Sequence, residues 1–320
     1  MLETIRQFAQ EQLVASGAAS KARAAHARYF AGREEDVLAL WDSPQQREAY
    51  VGFSGELANL RTAFRWAADQ GDLDTAATVA TNAAFLGLWV EQYEPIGWAE
   101  ELIEVARAAD HPRLAALYVM ASVCYMAGRI EAAVGYSEAG QMAVRGGRFS
   151  VPYGAVGMLG SAYLYIGQPE RQVQWCRAQL AHDPDTHALT RVCLVLALTI
   201  AGCGDAAMEA ATGLVDAAEA TANPCALVYA LQGEGFAFRN TDPGRAHEAL
   251  RRALVIAQAS GNRTHETNLA SGLCALEAQH GDPLTAFDYV TVAIRNLHES
   301  GSTANIRSCA RCPLRSARAL

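Results

Sequence analysis

The chain has 320 residues, 51% hydrophobic but only 8% aromatic, with a formal charge of −8 and a pI near 5.5. The acidic balance argues against a general nucleic-acid surface, and no run reaches the roughly 18 apolar residues of a membrane span. Alanine-rich composition with few alternating β-branched runs favours closely packed helices over sandwiches or barrels and predicts an all-α fold. No signal peptide opens the chain, and eight scattered cysteines without a compact framework read as reduced core residues of a cytoplasmic protein.

Leu2, Ile5, Phe8, Ala9 and Leu13 fall on one face of a first helix. Gly17 to Ser20 breaks it, and a second helix is predicted from Lys21 to about Leu40, carrying His26, Tyr29 and Phe30. Asp42-Ser43-Pro44 is a turn, with Pro44 suited to the first position of the next helix. Glu56 to Ala67 continues as helix. Gly71-Asp72 then starts another that runs through Phe85, Leu88 and Trp89. These aromatics, with Tyr93 and Trp98, read as core and not as a ligand box. Pro95 opens Ile96 to Ala109, and Asp110-His111-Pro112 ends it.

From residue 112 to about 300 a turn motif recurs, marked by Gly128, Gly167, Gly204, Asp242 and Gly281 at intervals of 37 to 39 residues. A fixed period of this size marks stacked helical hairpins. Seven residues before each turn stands a small residue, Ala121, Gly160, Ala197, Gly235 or Cys274, which lets the two helices of a hairpin approach closely. Five after the turn come Ala133 and Ala286, matched less well by Gln172, Glu209 and His247, so the middle units are the degenerate ones. The pattern resembles the tetratricopeptide repeat, whose usual length is about 34 residues. The fold expected is a right-handed superhelical solenoid of antiparallel helix hairpins. After Ser300 the pattern fails: Ile306 to Arg318 holds four arginines and no acid. Residues 301–320 are expected to be a disordered tail from a frameshifted or truncated reading frame.

Leu-Glu-Thr-Ile-Arg-Gln-Phe-Ala at 2–9, followed by Glu-Leu-Ala-Asn-Leu-Arg-Thr-Ala-Phe-Arg-Trp at 56–66, resembles the region behind the nucleotide-binding module of bacterial signal-transduction ATPases with numerous domains, the STAND class. Within that class it is most similar to actinobacterial regulators that carry a cyclase-like domain or a LuxR-type helix-turn-helix. The resemblance implies that residues 1–50 are a helical remnant similar to the end of a winged-helix segment. It makes 51–111 an irregular lead-in and 112–300 the sensor array. It also implies an upstream nucleotide-binding module in full-length relatives.

The residues themselves carry little chemistry. A P-loop needs Gly-x-x-x-x-Gly-Lys-Ser/Thr to cradle phosphates; Lys21, the one lysine of the chain, follows Ser20 instead of glycine. The lone lysine also makes Schiff-base chemistry improbable. Cys309-x-x-Cys312 is half a zinc set without its second pair. His182 and His187, flanking Asp183-Pro184-Asp185, read as solvated loop residues, and Gly233-Glu234-Gly235 as close helix packing. Glu34-Glu35 and Glu100-Glu101 read as solvated surface pairs. No catalytic residue, metal or cofactor is expected.

What remains is a binding surface. The first helices of stacked hairpins line a concave face. Their inward register holds Tyr118, Ser122, Tyr125, Ser161, Tyr165, Arg191, Tyr229, Gln232, Arg239, Asn268 and Gln279. Tyrosine and arginine there suit recognition because they join contact area to directed hydrogen bonds; the plain alternative is an ordinary solvated groove. The expected function is a non-catalytic sensor and protein-interaction domain, with a protein partner or a small-molecule effector in the groove and no nucleic acid or membrane. The alternative is a free-standing tetratricopeptide-like scaffold with no ATPase partner domain.

Overall fold

The computed structural model describes residues 3–145, 151–182 and 185–300; the tail read at 301–320, with Cys309 and Cys312, lies outside them. Every regular element among the described residues is helical. Six helices come first: α1 (Glu3–Ala15), α2 (Ala19–Gly32), α3 (Glu34–Trp41), α4 (Gln46–Asp69), α5 (Leu73–Trp89) and α6 (Glu94–Ala108). The hairpins follow as α7 (Leu114–Ser122) with α8 (Ile130–Arg145), then α9 (Ala162–Tyr165) with α10 (Pro169–Leu180). The third pairs α11 (Leu189–Ile200) with the broken α12 (Gly204–Ala211) and α13 (Leu214–Glu219). The last two are α14 (Pro224–Phe238) with α15 (Pro243–Ser260), and α16 (Arg263–His280) with α17 (Pro283–Ser300). The fold is all-α, and successive helices pack in neighbouring pairs.

The small positions do the work their spacing suggests. A Cβ added at Gly160 would lie 2.9 Å from Gln172 Cγ, and one at Gly235 only 2.5 Å from Leu250 Cγ, on the second helix of the same hairpin. Ala121, Ala197 and Cys274 are buried at the equivalent sites. The turns are less uniform than their spacing. Gly128 (φ 84°) and Gly167 (φ 72°) are left-handed, a conformation glycine enters without a Cβ clash. In the third hairpin the left-handed residue is Gly202, and Gly204 is already the first residue of α12. Asp242 instead caps α15 by accepting from the Arg245 N–H. The middle units are irregular: a 3-10 stretch, Pro152–Gly160, replaces most of the first helix of the second hairpin, and Gly213 splits the second helix of the third.

Two boundaries differ from expectation. The helix predicted from Lys21 to Leu40 is two helices broken at Arg33, because Glu34, Glu35 and Asp36 fill the first turn of a new one, where the helix dipole favours acids. Pro44 stays in the turn, and α4 starts two residues later at Gln46.

The early helices also reach the late ones directly. Trp41, at the end of α3, is fully buried, with ring centroids 4.7 Å from Phe85 and 4.9 Å from Tyr153. Gln46 Nε2 donates to the Trp41 carbonyl (2.8 Å) and to Asn223 Oδ1 (3.0 Å). Asn223 Nδ2 in turn donates to Asp42 Oδ1 (2.8 Å), which also meets His187 Nε2 at 2.8 Å. Arg47 reaches the Ala259 carbonyl at 3.0 Å, 212 positions along the chain. Beside these, Thr264 donates to the Leu88 carbonyl and Thr267 to Glu91 Oε1 (2.8 Å). The early helices α3 to α5 are thus fastened to the late helices α14 to α16. Buried polar groups find partners this way, and the groove becomes a bounded space.

The same contacts correct three surface readings. His187 is held by Asp42, and Asp185 is buried, accepting from the Thr190 and Arg191 amides at 3.0 and 2.8 Å at the start of α11. Glu34 forms a two-pronged ion pair with Arg113, and Glu100 pairs with Arg129. His182 is exposed as expected.

Candidate functional site

Between the hairpins and the end of α5 lies a half-enclosed chamber of about 350 Å³. Each hairpin contributes to its wall. Tyr125, just past α7, meets Tyr165 of α9 with ring centroids 4.5 Å apart. Ser161 and the α10 residue Gln172 sit beside them, joined by a 3.4 Å hydrogen bond from Gln172 Nε2. From α11 come Leu196, Thr199 and Ile200; from α14, Tyr229, Gln232, Phe236 and Arg239. Helix α16 adds His265 and Asn268, and α5 closes the ring with Trp89. Helical spacing explains the convergence, since Tyr229, Gln232 and Phe236, like His265, Asn268 and Gly272, lie three and four residues apart on one face.

Seven of the eleven groove residues read from sequence therefore share one wall: Tyr125, Ser161, Tyr165, Tyr229, Gln232, Arg239 and Asn268. Four lie elsewhere. Tyr118 is buried beneath α8, where a Cβ on Gly140 would strike its own Cβ. The Ser122 hydroxyl is buried and donates to the Val119 carbonyl. Arg191 donates to the Thr212 carbonyl (2.9 Å) just past the end of α12, and Gln279 is exposed near the end of α16. Trp89, read as core, is buried in the core with Phe85 and Trp98 and also borders the chamber; His265 was missed. The His265 signal was present, for it stands three residues before Asn268 in the same register.

Burial dominates the electrostatics of the chamber wall. Burial drives the His265 imidazole down to about 3, so it is neutral at physiological pH. Asn262 Oδ1 accepts from the His265 backbone N–H and lies 3.1 Å from ring Nδ1. That oxygen is fixed as an acceptor, which puts the imidazole proton on Nδ1. The ring stacks on Trp89 (5.3 Å) and meets Tyr229 edge-on (4.9 Å). Burial pushes the Tyr125 and Tyr229 phenols well above their usual range, and Tyr229 rests 3.5 Å from the Cys193 sulfur. Three buried polar atoms of the wall have no partner among the described residues: Trp89 Nε1, Gln172 Oε1 and Gln232 Oε1. Arg239, beside the Phe236 ring at 5.9 Å, is the single permanently charged residue lining the chamber among those described.

Among the described residues no group of three His, Cys, Asp or Glu could hold a metal ion, and no helix is long and apolar enough to cross a membrane. No protein-family model matches the chain, and no curated protein matches it at a significant level.

Proposed function

We propose that this chain is a non-catalytic sensor and protein-interaction domain, the array of a signal-transduction ATPase-type regulator of transcription or of a linked cyclase, whose inner chamber takes a small-molecule effector. One observation carries the reading: residues from all five hairpins and the end of α5 meet round one chamber that holds unpaired buried polar atoms. A catalytic acid or base needs a pKa near working pH, whereas His265 is driven far below it and the tyrosines far above. Ligand pockets run from about 300 to 1,000 Å³, so the space suits a metabolite and is too small for a folded partner. Such a partner would engage the outer surface.

In this reading the array is a right-handed tetratricopeptide-like superhelix. An effector that binds one packing of α5 on α16 better than another shifts the equilibrium between them. Ile5 (54% exposed) and Phe8 (62%) leave the apolar stripe of α1 uncovered, which favours an adjoining nucleotide-binding module over a free-standing scaffold.

The test is a thermal-shift screen of small metabolites against the wild type and Ala275→Trp, which fills the chamber from its α16 wall. A ligand at a hundred times its Kd adds about 2.7 kcal/mol of stability. The reading expects compounds that stabilise the wild type and not the variant; equal shifts in both, or none in the wild type, reject it.

A further inference from the structure

We infer that the chamber's effector is a small organic monoanion with a planar apolar body, an aromatic carboxylate or sulfonate, paired with Arg239; this rests on the chamber being the effector site.

The charge argument comes first. Arg239 lines the chamber with no carboxylate among its described neighbours in the wall, and its one recorded partner is the Phe236 ring. Three other arginines of the late helices are engaged, Arg245 with Glu234, Arg252 with Glu219 and Arg263 with Glu299, and Arg251 and Arg295 do not line the chamber. A half-buried guanidinium without a counter-ion is completed by one carboxylate or sulfonate, which it can grip through two parallel N–H bonds. A single cation does not balance a di- or triphosphate in a partly dry site, and a cationic ligand would meet like charge.

The body of the ligand follows from the walls. The Tyr125–Tyr165 pair and the Trp89–His265–Tyr229 group present aromatic surface, and Met126 and Met158 add soft apolar contact. Unpaired buried polar groups are costly. Trp89 Nε1 calls for an acceptor, and Gln232 Oε1 and Gln172 Oε1 call for a donor, such as a ring N–H or hydroxyl.

A matched pair of fluorescent probes tests this. 8-Anilinonaphthalene-1-sulfonate carries the rings, the bridging N–H and one negative charge; N-phenyl-1-naphthylamine is the same molecule without the sulfonate. Titrations of the wild type, Arg239→Gln, Arg239→Lys and Ala275→Trp would measure both affinities. The expected result is that the sulfonate binds the wild type better than its neutral analogue. Arg239→Gln should then lose about tenfold to a hundredfold on the sulfonate alone, the range for a charged hydrogen-bonded contact, with Arg239→Lys between. Equal affinity for both probes, or an unchanged sulfonate affinity in Arg239→Gln, overturns the anion class. If the neutral probe still binds and Ala275→Trp abolishes it, the chamber reading stands without the anion. If neither probe binds the wild type at millimolar concentration, the aromatic-anion proposal fails, and the metabolite screen judges the chamber separately.

Discussion

Burial on every side holds the His265 imidazole neutral, and its pKa of about 3 lies far below the ordinary 6.5. The consequence is a pH dependence of stability. Above pH 6.5 both folded and unfolded states carry a neutral imidazole. Below it the unfolded chain takes up a proton that the folded one refuses, so stability falls by about 1.4 kcal/mol per pH unit until the folded pKa is reached. Glu91 and Asp185, raised by burial, act in the opposite sense in the carboxylate range, so the effect is read as a difference between proteins. Urea unfolding of wild type and His265→Gln at pH 7 and pH 4 should show the wild type losing about 3 kcal/mol more than the variant over that interval. Parallel pH profiles would mean that the histidine is solvated.

Among the elements, the turn between α3 and α4 decides most. Trp41 fills space against α5, and Asn223 does three things at once: it caps α14 through the Ala226 amide, accepts from Gln46 and donates to Asp42. Losing the cap costs about 1 kcal/mol, and leaving one N–H of the buried Gln46 amide without its partner costs about 1–3 kcal/mol more. Asn223→Ala should therefore destabilise the protein by about 2–4 kcal/mol, measured by urea unfolding, with Trp41 emission shifted to the red as α3 loosens. A cost below about 0.5 kcal/mol, the level of a surface change, would show that this clasp is not a structural joint. The hairpins were legible in the sequence because period and small residues act locally: Gly160 and Gly235 had to be small whatever lay beyond their own hairpin. The break at Arg33 was legible in principle from three acids in a row. The clasp was not, because Gln46 and Asn223 are 177 residues apart and follow no period.

At the scale of the whole molecule, the fastening of α3–α5 to α14–α16 ties the two ends of a string of hairpins together round the chamber. A repeat array joined only to its neighbours would respond locally; here hydrogen bonds also join helices far apart in the chain. Part of the site could be read beforehand, since Tyr125, Tyr229, Arg239 and Asn268 follow from the register of each first helix. Trp89 could not, because α5 lies outside the repeats and reaches the chamber only through closure, on Thr264 and His265. Tyr118 and Ser122 occupy the same nominal register but are buried within their own hairpin, and only past α7, in the 3-10 turn Val123–Ala127, does the chain reach the chamber with Tyr125.

Hydrogen exchange with and without a chamber-bound ligand, such as saturating 8-anilinonaphthalene-1-sulfonate, tests the central claim most directly. The account predicts slower exchange together at the end of α5 and along α9, α11, α14 and α16, the elements that line the chamber. Protection confined to a single hairpin, or to the exposed stripe of α1, would contradict it.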